Sequence, residues 1–135
     1  MIVTDASVWV SHLVAGDAHH ASSRRWLTRI VREGIVIAAP GLLLVEVAGA
    51  VARRTNDPGL GHWTLEHVLS IPDLRLVHSD PALSMAAARL AADRRVRGAD
   101  SLYIAVAQQL NIPLISWDRE QIDRAAKIVQ ASSPE

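Results

Sequence analysis

The chain opens with MIVTDASV at residues 1–8, where a short β-branched run is followed by an acidic residue and the start of an apolar helical pattern. The run at 1–4 predicts a strand, and the pattern at 6–14 predicts a helix that ends at Gly16. Further strands are predicted at 35–38, 74–78, 113–116 and 128–129, and further helices at 19–33, 42–54, 60–70, 81–95, 99–110 and 118–126. Because strands that alternate with helices pair in parallel, this order predicts an α/β sandwich with helices on both faces of a parallel sheet.

Length and composition indicate one globular domain over residues 1–135. Half of the residues are apolar and 21% are charged, which excludes a disordered tail. The absence of cysteine excludes disulfide frameworks, thiolate zinc sites, iron–sulfur clusters and cysteine nucleophiles, and it fits a reducing compartment. No apolar run approaches the roughly 18–20 residues of a membrane span, and residues 1–5 do not resemble a secretory signal. We therefore expect a cytoplasmic protein that does not enter a membrane.

Two aspartates follow predicted strands closely. Asp5 comes directly after the first strand, and Asp118 comes two residues after Ser116, the end of the fourth. Ligands of open parallel sheets bind at the carboxyl ends of the strands, so both carboxylates face one crevice if these strands are neighbours. Asp100 opens a nearly all-apolar helix, which predicts that this helix is buried. As a structural alternative, each aspartate could be a helix N-cap, and Gln121 gives Asp118 the spacing of a capping box.

Glu46 lies inside a predicted helix without a positively charged neighbour one turn away, since those positions hold Leu42, Leu43, Gly49 and Ala50. A carboxylate on such a face must reach solvent, a distant arginine or a metal ion. Four carboxylates gathered in one place would repel one another without a cation, and Mg²⁺ and Mn²⁺ prefer oxygen ligands. The acids therefore predict a hard-cation site, which is the arrangement that metal-assisted phosphodiester hydrolysis requires.

The six histidines do not predict a second metal site. His19 and His20 are adjacent and cannot share one helical face, and His62 and His67 are five residues apart. The spacing H-E-x-x-H does not occur. We therefore expect solvated surface histidines.

Four segments in order resemble the PIN domain: IVTDASV at 2–8, the helix with Glu46, RGADSLYIAVA at 97–107 and LISWD at 114–118. Within that family, the chain is most similar to the VapC-type toxins of bacterial toxin–antitoxin pairs. The resemblance covers the whole chain in order and length. It implies a three-layer sandwich around a five-stranded parallel sheet and a ribonuclease that depends on Mg²⁺ or Mn²⁺.

The resemblance also implies site residues. The catalytic and metal-ligating acids correspond to Asp5, Glu46, Asp100 and Asp118. Supporting roles fall on Ser7 and on Ser116, where the family usually has threonine. Asp118 corresponds to the acid that often matters least in the family.

The distribution of basic residues bears on an RNA partner. Without the four proposed ligands, 14 basic and 10 acidic residues remain, which gives a net charge of +4. Thirteen of the 14 basic residues are arginine, and arginine suits bidentate phosphate contacts. A GC-rich genome would explain the same bias. Arg97 and Arg119 are the predicted RNA contacts, with Arg124 nearby and a separate basic helix face at 24–32. With one tyrosine and no phenylalanine, recognition by RNA shape and backbone fits better than base stacking.

We thus expect an endoribonuclease toxin that cuts a structured RNA, such as transfer or ribosomal RNA. Two alternatives stay open: a non-catalytic RNA- or protein-binding module of the same fold, and a DNA-cutting nuclease. We also expect a cognate antitoxin that blocks the acids with an arginine-bearing segment. The helix at 60–70 is more apolar than an outer helix needs, which predicts a homodimer through Trp63, Leu65, Val68 and Leu69.

Overall fold

The computed structural model describes residues 1–135 and contains five strands and seven helices. The strands are β1 Ile2–Thr4, β2 Ile37–Pro40, β3 Leu74–Val77, β4 Leu114–Ile115 and β5 Ala131–Ser132. The helices are α1 Ala6–Leu13, α2 His20–Arg32, α3 Leu42–Thr55, α4 Pro58–Leu69, α5 Pro81–Arg94, α6 Gly98–Leu110 and α7 Arg119–Ala125. None of the helices combines the length and apolar character that a membrane crossing requires.

The strands form one parallel sheet in the order β3-β2-β1-β4-β5, which confirms the predicted fold class. The first strand lies in the centre, where Val3 pairs with Ala38 of β2 on one side and with Leu114 of β4 on the other. All four residues of β2 are buried, as expected for a strand with both faces covered. Because β1 and β4 are neighbours, the residues that follow them lie together at one edge of the sheet.

The core is built from both sides of this sheet. Trp9 of α1 is fully buried, and its indole N–H donates to Thr4 Oγ1 at 2.8 Å, so the largest core side chain leaves no polar atom unpaired. The five consecutive residues 103–107 of α6 are buried, which confirms that this apolar helix lies inside the protein. Full burial of a large apolar side chain contributes about 1.5–3 kcal/mol to folding, so α6 is a major part of the core.

The predicted position of the last strand is wrong. The N–H groups of Ile128 and Val129 both donate to the carbonyl of Ala125, at 2.8 and 2.9 Å, and therefore belong to the turn after α7. Pairing with β4 begins only at Ala131, opposite Leu114. Ile128 and Val129 pack against the core from this turn, so burial rather than sheet pairing explains their apolar character.

Three other element boundaries also differ from the prediction. The second strand begins at Ile37 rather than at Ile35, because the Ile35 N–H bonds back to the carbonyl of Ile30 at the end of α2. The same strand ends at Pro40, two residues beyond its predicted end. The fourth helix begins at Pro58, because the Asp57 carboxylate caps it by accepting from the Leu60 N–H at 3.1 Å.

The fourth helix packs closely on α3. A Cβ atom at Gly61 would lie 2.9 Å from Ala52 Cβ and 3.0 Å from the Ala48 carbonyl oxygen, so glycine allows this approach. The predicted dimer surface on α4 is only partly exposed: Val68 is buried and Leu65 is half-buried, whereas Trp63 and Leu69 are exposed. Val68 therefore belongs to the core, and the homodimer remains a prediction that rests on the other residues.

Candidate functional site

Asp5 lies where β1 ends and α1 begins, at the carboxyl edge of the sheet. Its side chain is nearly fully buried. Oδ1 accepts from the N–H of Ser7 at 3.1 Å and from the Ser7 hydroxyl at 2.6 Å, and Oδ2 accepts from the Ser116 hydroxyl at 2.7 Å. Asp5 is therefore the N-cap of α1, as one interpretation of the sequence held, and a rigidly held carboxylate within the cleft.

The two serines connect the β1–α1 turn with the turn after β4. The Ser7 hydroxyl accepts from the Trp117 N–H at 2.9 Å, and the Ser116 hydroxyl accepts from the Asp118 N–H at 2.9 Å. Each serine hydroxyl thus donates to Asp5 and accepts from a backbone N–H group in the turn after β4. Both hydroxyls hold the carboxylate of Asp5, and the supporting role that the family resemblance implies for Ser7 and Ser116 stays a prediction.

Burial dominates the electrostatics of Asp5. The loss of solvent raises the pKa of its carboxyl to about 6, and the negative charge of Asp100 adds to this rise. The hydrogen bonds from Ser7 and Ser116 act in the opposite direction, but they do not offset the desolvation. Asp5 therefore holds its charge at neutral pH at a cost to folding, which is typical of a functional carboxylate rather than of a simple helix cap.

Glu46 projects from α3 and is half-buried. Its Oε2 accepts a hydrogen bond from the Tyr103 hydroxyl of α6 at 2.5 Å. Burial raises the pKa of the Glu46 carboxyl, and burial followed by the nearby Glu46 charge raises the pKa of the Tyr103 phenol. Glu46 thus has a partner within the chain, a neutral phenol, which was not among the alternatives that the sequence left open.

Tyr103 was not among the predicted site residues. The available signal was its position in a helix that is otherwise apolar, because a buried tyrosine hydroxyl generally needs a hydrogen-bond partner. That partner, Glu46, lies 57 residues away in the sequence and meets Tyr103 only in the folded chain.

Asp100 and Asp118 share one arginine. Arg97 Nε donates to Asp100 Oδ2 at 3.0 Å, and Arg97 Nη2 donates to Asp118 Oδ2 at 2.5 Å. Burial raises the pKa of the Asp100 carboxyl, although the positive charge of Arg97 opposes this rise. Arg97 thus bridges two of the four acids, whereas the predicted RNA contact Arg119 is exposed and makes no side-chain hydrogen bond or ion pair.

Helix capping explains the position of Asp118 but not that of Asp100. Asp118 caps α7, because its Oδ1 accepts from the Gln121 N–H at 3.1 Å, and its Oδ2 stays available to Arg97. Asp100 does not cap, because α6 begins at Gly98 and places Asp100 within the first turn. Capping therefore occupies one oxygen of Asp118, and it gives no structural reason for Asp100 to be acidic.

One cleft brings the four acids together, and it is lined by Asp5, Glu46, Asp100, Asp118, Ser7, Arg97 and Tyr103, among others. The donor chemistry fits a hard divalent cation, since carboxylates from four separate parts of the chain point into the same space. The side chains do not already converge as a ligand shell, because no group of three or more acidic or histidine residues is gathered closely enough to hold an ion.

Basic side chains lie on one face of α2, and an aromatic pair lies at its start. Four arginines, Arg24, Arg25, Arg29 and Arg32, are exposed on one face of this helix and form no salt bridge with an acidic side chain. At the start of α2, the ring of His19 stacks on the indole of Trp117 with centroids 3.9 Å apart. The sequence predicted no stacking surface, and this pair is one that only the tertiary structure brings together.

Two other histidines lie away from the cleft. His12 Nε2 and His67 Nε2 are 3.3 Å apart between α1 and α4, and Trp63 stacks on the His67 ring. Burial lowers the pKa of His12 to about 4, and the neighbouring His67 adds to this effect. His12 is therefore not the solvated surface histidine that the sequence led us to expect.

A model of the PIN domain family matches residues 2–128 of the chain. No protein with a curated description matches the sequence. Among solved structures, VapC20 of Mycobacterium tuberculosis, a toxin that cleaves the sarcin–ricin loop, superposes with a TM-score of 0.77 at 21% identity. The match covers 94% of this chain and 95% of that chain.

Two other solved structures contain the same fold. VapBC2 of Rickettsia felis, bound to a DNA fragment from the promoter, matches with a TM-score of 0.74 at 15% identity, over 100% of both chains. FitAcB of Neisseria gonorrhoeae matches with a TM-score of 0.73 at 20% identity, over 99% of this chain and 98% of that chain. At these identities, the likeness shows a shared fold.

Proposed function

The chain belongs to the PIN domain family, and from that premise we propose that it is a metal-dependent endoribonuclease and the toxin of a toxin–antitoxin pair. The observation that carries this proposal is the single cleft in which Asp5, Glu46, Asp100 and Asp118 face one another at the carboxyl edge of the parallel sheet. VapC20, which has the same fold, cleaves RNA, and this supports an RNA substrate for the present chain.

The four acids would hold Mg²⁺ or Mn²⁺. When bound, such an ion supplies the activation of water and the neutralisation of charge on the phosphate oxygens. Ser7 and Ser116 orient the two oxygens of Asp5, and Tyr103 orients one oxygen of Glu46. These contacts keep the carboxylates in place before substrate arrives, which reduces the reorganisation that the reaction requires.

The overall reaction is the addition of water across the P–O3′ bond of RNA. The hydroxyl of the water goes to phosphorus and its proton goes to O3′, which leaves a 5′-phosphate and a 3′-hydroxyl. Arg97 and Arg119 are the proposed contacts to the phosphate backbone. We expect the substrate to be a structured transfer or ribosomal RNA and the protein to act in the cytoplasm.

The test is a cleavage assay with labelled structured RNA and with DNA of matched sequence. Cleavage of the RNA is expected with Mg²⁺ or Mn²⁺ and not with chelator. Asp5→Asn is expected to lower the rate at least about 100-fold, as removal of one electrostatic group of an active site commonly does. Asp57→Asn is the matched control, because Asp57 also caps a helix but is exposed on α4 outside the cleft.

Each alternative function has its own outcome in this assay. RNA binding without cleavage under any metal condition would indicate a binding module, and faster cleavage of DNA would indicate a DNA nuclease. Full activity in chelator would remove the metal mechanism.

The proposed antitoxin would inhibit by placing an arginine across the acids of the cleft. A guanidinium is planar and permanently charged, and it can bridge two carboxylates. Arg97 already makes such a bridge between Asp100 and Asp118 within the chain, which supports the chemistry of the proposal. Once the partner is identified, changing its tail arginines to alanine is expected to weaken inhibition. Unchanged inhibition by all of these variants would show that the antitoxin acts by covering the path of the RNA.

A further inference from the structure

Arg97 makes the only salt bridges to the proposed metal ligands. Two different nitrogens of its guanidinium contact two different carboxylates, Nε with Asp100 at 3.0 Å and Nη2 with Asp118 at 2.5 Å. The Arg97 side chain is 70% exposed, whereas those of Asp100 and Asp118 are 19% and 29% exposed. Arg97 therefore reaches down from the mouth of the cleft, and its head group is not part of the core.

At Asp118, the contact with Arg97 falls on the oxygen that a cation would need. Arg97 uses Oδ2 of each aspartate, and the Oδ1 atom of Asp118 is already taken by the Gln121 N–H. A divalent ion that binds Asp118 through Oδ2 would lie beside a guanidinium of the same sign of charge. Because two positive charges on the same carboxylate oxygen repel each other strongly, the ion and the guanidinium of Arg97 compete for Asp118 Oδ2.

Neighbouring arginines do not share this arrangement. Arg119 follows Asp118 directly but is exposed and without a side-chain partner, and Arg124 is engaged by Glu120 and by the Arg94 carbonyl oxygen. The Arg97 backbone is held at the start of α6, where its carbonyl accepts from the Ser101 N–H at 3.0 Å. The Arg97 side chain can therefore leave the acids without any change in the fold.

We infer that Arg97 is an internal competitor of the divalent cation, which bridges Asp100 and Asp118 and must be displaced before an ion can use both. This inference rests on the proposed function, because it concerns the same acids. It follows that the wild-type site binds metal more weakly than its four carboxylates alone would. The competition therefore raises the concentration of metal ion at which the site is half-occupied.

The test is a titration of the protein with Mn²⁺ in the absence of RNA. Binding is measured by calorimetry and, independently, by the electron paramagnetic resonance signal of free Mn²⁺. Arg97→Gln is expected to bind Mn²⁺ about 5- to 30-fold more tightly than the wild type, which corresponds to about 1–2 kcal/mol at 1.4 kcal/mol per tenfold. Arg119→Gln is the matched control, because it removes the same charge nearby without breaking a contact. Arg97→Lys is expected to lie between wild type and Arg97→Gln, because an ammonium does not provide the planar fork that spans two carboxylates.

Each outcome of the titration decides the inference. Equal tightening in Arg97→Gln and Arg119→Gln would overturn it, since net charge alone would then explain the effect. Weaker binding by Arg97→Gln would also overturn it, because Arg97 would then be organising the ligands. If Arg97→Gln binds Mn²⁺ more tightly but the wild type cleaves no RNA, the inference is supported and the proposed nuclease function is refuted. If neither the wild type nor Arg97→Gln binds Mn²⁺, both are wrong. Circular dichroism of each variant establishes that it is folded.

Discussion

Replacing Asp5 with asparagine is expected to stabilise the folded protein at neutral pH while it removes activity. Burial raises the pKa of Asp5 from 3.8 to about 6, so the folded state binds this proton more tightly than the unfolded state does. Stability therefore falls as pH rises from about 4 to about 6, and the full penalty applies above pH 6. A shift of about 2 units corresponds to about 3 kcal/mol, which the uncharged amide does not incur.

Part of this gain is lost because the hydrogen bonds change. Ser7 can still donate to the amide oxygen, but the Ser116 hydroxyl now faces an N–H₂ group and must turn to accept from it. Rearranging one such hydrogen bond costs about 1 kcal/mol. The net expectation is a gain of about 1–2 kcal/mol, which raises the melting temperature by roughly 3–10 °C for a domain of this size.

The measurement is thermal unfolding by circular dichroism in chelator, at pH 7.5 and again at pH 4. The difference between Asp5→Asn and wild type is expected at pH 7.5 and should largely disappear at pH 4, where the wild-type carboxyl is protonated. Asp57→Asn is the control, because asparagine caps a helix about as well as aspartate and should leave the melting temperature unchanged. Added Mg²⁺ is expected to stabilise the wild type more than Asp5→Asn.

Two results would refute this reasoning. If Asp5→Asn melts at or below the wild-type temperature at pH 7.5, the hydrogen bonds from the serines outweigh the cost of burying the charge. If the difference is the same at both pH values, ionisation of Asp5 is not its cause.

Three further predictions concern other parts of the molecule. Tyr103→Phe removes only the hydroxyl that donates to Glu46, so we expect about tenfold weaker Mn²⁺ binding by calorimetry; unchanged affinity would mean that the hydroxyl does not position the carboxylate. Because the pKa of His12 is lowered to about 4, the unfolded chain takes up the proton first, and urea unfolding should show stability falling as pH drops from about 6.5 toward 4, with a smaller fall in His12→Gln. A wild-type chain that is dimeric by light scattering at micromolar concentration should become monomeric when both Trp63 and Leu69 are changed to aspartate, whereas a monomeric wild type would contradict the dimer.

Local pattern was sufficient for most of the architecture. The β-branched run before Asp5 predicts a strand, and the helical pattern after it predicts a helix. Both predictions work because strand and helix signals depend on neighbours within a few residues. The same reasoning placed Asp118 after a strand with Gln121 in capping register. Where the strand signal was only two residues long, at Ile128 and Val129, it failed, because an apolar pair buried in a turn looks the same in sequence as an apolar pair in a sheet.

The arrangement of the four acids depended partly on sequence and partly on the fold. Their order along the chain, together with the family resemblance, was enough to name Asp5, Glu46, Asp100 and Asp118 as candidates. Whether they share one cleft depended on β1 and β4 being neighbours in the sheet, which no local signal specifies.

Only the tertiary structure decided the partners of these acids. Tyr103 meets Glu46 across 57 residues and Arg97 meets Asp118 across 21, and each contact follows from how helices pack on the sheet. The sequence predicts the chemistry of a side chain because its covalent structure is fixed by the residue type. It also predicts helices, because helical hydrogen bonds join residues only four positions apart. Which buried phenol or exposed guanidinium satisfies a given carboxylate depends on distances set by the whole core, and these exist only once the chain has folded.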